Sequence, residues 1–126
     1  MNLTTGTSLR FEEFWRWLRE HLNCVIEAGT SSATIMDFED FHWVLTEEDD
    51  GRRVVQMMRG KGIVGELLID PSEVTSVEVA PDVESGSQGQ WMFEVFGGAK
   101  EDPFVVAYFV MAHGFEEAGR HKVLKH

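Results

Sequence analysis

The sequence predicts an α+β fold in which an N-terminal amphipathic helix packs on a twisted, mainly antiparallel sheet of five to seven strands. Three observations predict it. Phe11, Phe14, Trp15, Leu18 and Leu22 fall at the i, i+3, i+4, i+7, i+11 spacing of a single helical stripe. Downstream, short stretches of period-two alternation are separated by Gly, Asp and Pro, as in strands joined by hairpins. Finally, a chain of 126 residues with 43% hydrophobic content can bury roughly two-thirds of its unfolded surface, enough for one core without staples.

The helix is expected over 9–22, with Ser8 capping its first turn and Glu12–Arg16 and Arg16–Glu20 pairing on the solvent side. Trp17 lies off the stripe and is read as a rim contact with the core. The period then changes. Cys24 to Glu27 reads as a short strand before a turn at 29–32, and Ala33 to Met36 as the next. A turn or bulge is required at 37–40, because otherwise Asp37 and Glu39 would share a face with Phe41, Trp43 and Leu45. Phe41 to Glu47 and Val54 to Met58 alternate on either side of Asp50-Gly51, which marks a hairpin. Gly60-Lys61-Gly62 makes a second tight turn into a strand over 63–69, which Asp70-Pro71 ends. Val74 to Val79 is expected to be a strand with Thr75, Val77 and Val79 on one face, and Trp91 to Phe96 another.

The segment 82–90 holds Asp, Glu, Ser, Gly and Gln with no apolar anchor beyond Val83, and is read as a mobile loop. The run 104–112 is ambiguous. Asp102-Pro103 could open a helix, but Phe104, Val105, Val106, Tyr108, Phe109 and Val110 favour a strand, central in the sheet and covered on both faces. Phe115 to Leu124 reads as a short helix or coil. Residues 1–7 are expected to be a flexible N-terminus, and the whole of 1–126 a single domain. Whether the sheet is open or curls toward a half-barrel is not derivable from periodicity.

Composition narrows the functional classes. One cysteine, Cys24, excludes an internal disulfide and a thiolate metal cluster, so a reducing, cytoplasmic location is expected. Met1 to Gly6 has neither the basic nor the apolar region of a secretory signal. The apolar run 104–112 is about half the ~20 residues a membrane-spanning helix needs, so no membrane association is expected. The net charge is −11, and the segment 37–99 holds fourteen carboxylates against four cations. Such a field repels phosphate and favours cationic partners, so nucleic acid is not expected as a partner.

Motifs for chemistry are sparse. Gly60-Lys61-Gly62-Ile63-Val64-Gly65 has the G-x-G-x-x-G spacing, but Pro71 leaves no room for the helix whose N-terminus would hold a pyrophosphate. Asp37, Glu39, Asp40 and His42 could offer hard ligands, yet lack the grammar of a calcium loop and read as a solvated turn. His113, His121 and His126 lack zinc-helix spacing, and His113 reads as a histidine at the core edge. Cys24, beside Val25 and Ile26, reads as a small buried hydrophobe. No nucleophile elbow occurs, and neither a metal nor a cofactor is expected.

The leading expectation is a non-catalytic module that binds a basic protein, in the manner of immunity proteins, inhibitors or secretion chaperones, an analogy of fold and charge alone. Its candidate surface is Asp37, Glu39, Asp40, Glu47, Glu48, Asp49 and Asp50, seven carboxylates in fourteen residues with no Lys or Arg among them. An alternative is a small-molecule-binding regulatory domain with an aromatic pocket formed by Trp15, Trp43, Trp91 and Phe93. An enzyme of unknown reaction is the third class. Oligomeric state is not legible.

Overall fold

The computed structural model describes residues 7–82 and 89–115. Among these, one α-helix and nine strands form two sheets, in the order β1(Thr7–Leu9), α1(Phe11–Arg19), β2(Val25–Gly29), β3(Thr34–Met36), β4(Phe41–Glu47), β5(Arg53–Arg59), β6(Gly62–Ile69), β7(Val74–Pro81), β8(Trp91–Ala99) and β9(Asp102–Met111). Six strands lie side by side as β1-β7-β8-β9-β2-β3, and β4-β5-β6 form a separate three-stranded meander. Every pairing is antiparallel. The α+β class with one helix on antiparallel sheet is therefore observed, but the strands exceed the expected five to seven and divide between two sheets that do not close into a barrel.

The helix is shorter at both ends than the expected span of 9–22. Leu9 is drawn into β1, where it pairs with Val77, and Leu22 lies in a 3-10 turn over Leu22–Cys24. Arg10 occupies the N-cap position without a side-chain cap, and the Ser8 hydroxyl donates instead to Glu78 at 2.9 Å. Thr7, expected in a flexible tail, pairs with Val79. Glu12, expected to pair with Arg16, reaches across to Arg53 at 2.8 Å. In each case a tertiary partner outcompetes a local one, because a strand ladder or a guanidinium held between elements offers more than an exposed i,i+4 pair.

Phe14, completely buried, packs its ring on Phe93 of β8 and Phe109 of β9 at centroid distances of 5.5 and 5.3 Å. Trp17 is buried rather than at the rim, stacked on Phe93 at 5.0 Å and on His21 at 4.3 Å. On the helix's other flank Arg53 of β5 lies over Phe11 and Trp15, 5.6 and 5.7 Å from their centroids. The apolar cluster is continuous from the six-stranded sheet (Val77, Val79, Val95, Phe109) through the helix to Trp43, Val55, Met57 and Ile69 of the meander. Trp43 adds a direct tie, its indole N–H donating to the Val25 carbonyl at 3.2 Å.

Two glycines are required by close approach. A Cβ on Gly97 would lie 2.3 Å from the Glu73 carbonyl oxygen, and one on Gly29 would lie 2.5 Å from the Tyr108 ring, which covers Gly29 as a side chain would. A register shift between Val74 and Ser76 removes Thr75 from the face of Val77 and Val79, and Thr75 is exposed. The run 104–112 is strand, as expected, and interior to the sheet, but Phe104 and Val105 are exposed because β2 ends at Gly29 and does not reach them. The Asp82 amide donates to the Gln90 carbonyl at 2.9 Å. The body of the expected mobile loop 82–90 and most of the C-terminal segment lie outside the described residues.

Phe14→Ala should cost about 3–5 kcal/mol, a large share of the ~5–15 kcal/mol that stabilises an ordinary domain. Urea titration followed by circular dichroism measures this, and a loss below about 1 kcal/mol would contradict the packing of α1 on Phe93 and Phe109.

Candidate binding surfaces

The seven carboxylates singled out from the sequence do not form one surface. Asp37, Glu39 and Asp40 lie in the turn before β4, while Glu47 ends that strand and Glu48, Asp49 and Asp50 follow it. Six residues of β4, 41–46, separate the groups, roughly 20 Å at the rise of an extended chain. They differ in pairing as well. Arg52 takes Glu48 at 3.2 Å and Asp50 at 2.8 Å, and Arg19 of the helix pairs with Glu47, which also accepts the Trp15 indole N–H at 3.3 Å. Asp37 accepts only from the neighbouring Phe38 amide, and Glu39, Asp40 and Asp49 have no side-chain partner among the described residues. Between Asp37 and Glu39, Phe38 is 71% exposed.

The aromatic pocket read from the sequence is not assembled. Trp15, Trp43 and Phe93 are buried members of the core cluster, and Trp91 is half-buried against Gly114. None of the four lines the three described open cavities. The physical reason is that a helix and two sheets offer large rings a dense interior, where they exclude each other's solvent instead of enclosing a void. The glycine motif at 60–65 is the β5–β6 hairpin, with Gly60 at φ +60° and strand, not helix, after it. Among the described residues no group of three His, Cys, Asp or Glu side chains is placed to hold a metal, the Asp37/Glu39/Asp40/His42 cluster included.

Three surfaces escaped sequence reasoning. The first joins Cys24 to His113, 89 positions apart, with Sγ 3.1 Å from Nε2. His113 Nδ1 is 2.9 Å from the Gly114 carbonyl. A carbonyl can only accept, so Nδ1 carries the proton and a neutral His113 turns the lone pair of Nε2 toward the thiol. Cys24, expected as a small buried hydrophobe, is partly buried and packs against the core. The pair forms because β2 and β9 meet at Val25 and Met111.

The second surface is the face of the six-stranded sheet turned away from the helix. Ser8, Glu78, Glu94 and Tyr108 stand in one cross-strand row, with the like charges of Glu78 and Glu94 directly opposite each other. Tyr108 donates its hydroxyl proton to Glu27 and lies 3.0 Å from the Thr34 hydroxyl, which is left to donate back. Partial burial, aided by Glu27, pushes the Tyr108 phenol above its ordinary range. An open cavity of about 560 Å³ borders this row at Ser8, Ser76, Glu78, Phe96 and Lys100.

The third is a groove of about 460 Å³ between β6 and β9, lined also by the turn 30–33. Its walls hold exposed apolar side chains, Leu68 at 46%, Phe104 at 51% and Val105 at 39%. Glu66 and Glu73 line it too, and among the described residues no Lys or Arg does. The alternation of β6 and the apolar start of β9 were visible in the sequence, but their juxtaposition was not.

Comparison with protein-family models, with curated proteins and with solved structures returned no match, so no family is shown. No helix among the described residues is long and apolar enough to cross a membrane.

The Arg19 hydrogen bond, helped by Trp15, holds the Glu47 carboxyl below its usual range against the opposing effect of desolvation. A folded-state value below the unfolded one stabilises the fold above the ordinary carboxylate range, and that contribution is lost as pH falls through the lower folded value. Glu47→Gln should therefore melt below the parent at pH 7, and the gap should close as pH is lowered past about 4. Equal melting at pH 7 would mean that this exposed pair contributes nothing.

Proposed function

We propose that this chain is a non-catalytic protein-binding module, a single domain that engages a basic protein through its acidic surface. One observation carries the reading: exposed apolar side chains sit among carboxylates, Phe38 between Asp37 and Glu39, and Leu68, Phe104 and Val105 beside Glu66 and Glu73. Charge alone would serve solubility, but a surface made only to stay soluble gains nothing from displaying Phe and Leu. A protein interface uses both, since apolar anchors supply affinity while complementary charge supplies association rate and selectivity.

The net charge of −11 fits a cationic partner and opposes nucleic acid, whose phosphates carry the same sign. The single cysteine is in keeping with a reducing, cytoplasmic setting. Immunity proteins, inhibitors and secretion chaperones act in this way, and the comparison is one of fold and charge alone. A small-molecule domain has less support, because the rings that would wall its pocket are packed in the core.

The test is capture from the source cell followed by mass spectrometry, using the parent and two charge-reversed variants, Asp37→Lys/Glu39→Lys/Asp40→Lys and Glu48→Lys/Asp49→Lys/Asp50→Lys. Glu47 is left intact because it anchors Trp15 and Arg19. A basic protein held by the parent should be retained less at moderate than at low salt, and reversal of at least one group should lower its capture roughly tenfold. Capture unchanged by both reversals at both salts would reduce the acidic surface to a solubility device.

A further inference from the structure

The groove between β6 and β9 is bordered by two strand edges that no described strand completes. β8 pairs with β9 along its whole length, from Asp102 opposite Ala99 to Met111 opposite Trp91. On the other side β2 meets β9 only from Tyr108, opposite Gly29, to Met111, opposite Val25. Beyond Gly29 the chain turns away through 30–33 into β3, and the start of β9 has no neighbour on that side among the described residues. β6 is the last strand of the meander, paired with β5 alone. Residues 66–68 of β6 and 104–106 of β9 line the same groove.

Unpaired backbone donors and acceptors on a strand edge invite another strand, and proteins usually guard such edges with Lys, Pro or a covering element. β6 contains neither Lys nor Pro, and at the start of β9 Pro103 stands before the stretch 104–107, which contains neither. Both carry exposed apolar side chains instead.

We propose that an extended segment of a partner protein enters this groove and adds a strand to the free edge of β9 at Phe104 to Val106, in line with β2. The chemistry of the walls defines the segment. Phe104 and Val105 are neighbours in β9 and point to opposite faces of the sheet. Apolar side chains at alternate positions of the segment therefore pack beside one of them, and its Lys or Arg side chains reach Glu66 and Glu73. Glu73 has no side-chain partner among the described residues, and Glu66 accepts only from the neutral Gln56 amide. Among the described residues no Lys or Arg lines the groove to compete. This specifies the partner of the protein-binding reading above and rests on it.

The probe is a capped, fluorescent eight-residue peptide of alternating Val and Lys, titrated into the full chain with anisotropy as the readout. Two N-methylated versions block alternate sets of backbone amides, and a Val/Glu peptide controls for charge. Strand addition should make one N-methylated set, and not the other, bind roughly tenfold or more weakly. It should slow hydrogen exchange at the amides of residues 104–107, and Glu66→Lys/Glu73→Lys should lose binding while keeping the parent's circular dichroism and melting point. Binding that ignores both methylations, or no binding of the Val/Lys peptide, would overturn strand addition. So would a concentration-dependent dimer that excludes the peptide, since a second copy would then occupy the edge. In each of these cases, continued salt- and charge-sensitive capture of a basic protein would leave the broader reading standing.

Discussion

The contact of Phe14 with Phe93 and Phe109 is the joint on which this molecule depends. A helix of nine residues is too short to persist alone in water, so α1 exists because its rings find a sheet to cover. Once seated, it presents a second flank. Phe11 and Trp15 receive the Arg53 guanidinium, which Glu12 also binds, so the meander is attached to the helix by stacking, an ion pair and apolar burial together.

That arrangement explains the surfaces. The two sheets meet through the helix and through Trp43, and no hydrogen-bonded ladder joins them among the described residues. A continuous ladder would have paired β6 with a strand of the larger sheet and left no edge open. Attachment by side chains instead leaves β6 and the start of β9 facing each other across a groove. The glycines belong to the same account. Gly29 lies beneath the Tyr108 ring where β2 leaves the sheet, and Gly97 admits the Glu73 carbonyl beside Val106 and Phe104 at the groove wall.

Electrostatics follow the same division between local and distant partners. Within the segment 37–50 no Lys or Arg relieves the charge. Arg52 from just beyond the turn and Arg19 from the helix compensate the 47–50 group, while the 37–40 group keeps its charge next to an exposed ring. The acidic character that marks the sequence is therefore unevenly expressed on the surface.

By itself the sequence determined the elements whose cause is local. The helical stripe, the hairpins at Asp50-Gly51 and Gly60-Lys61-Gly62 and the break at 37–40 all arise from periodicity or backbone freedom within a few residues, whereas the run 104–111 suited helix or strand until β8 paired with it. Tertiary structure alone decided what needs register between distant segments. Leu9 belongs to a strand because Val77 is opposite it, Cys24 meets His113 because β2 lies beside β9, and Trp15, Trp43 and Phe93 are core because they fill one interior together. The groove is the clearest case. Its apolar walls and its two carboxylates can each be read along the chain, but an open edge is the absence of a neighbour, and a neighbour is assigned only when the whole sheet is assembled.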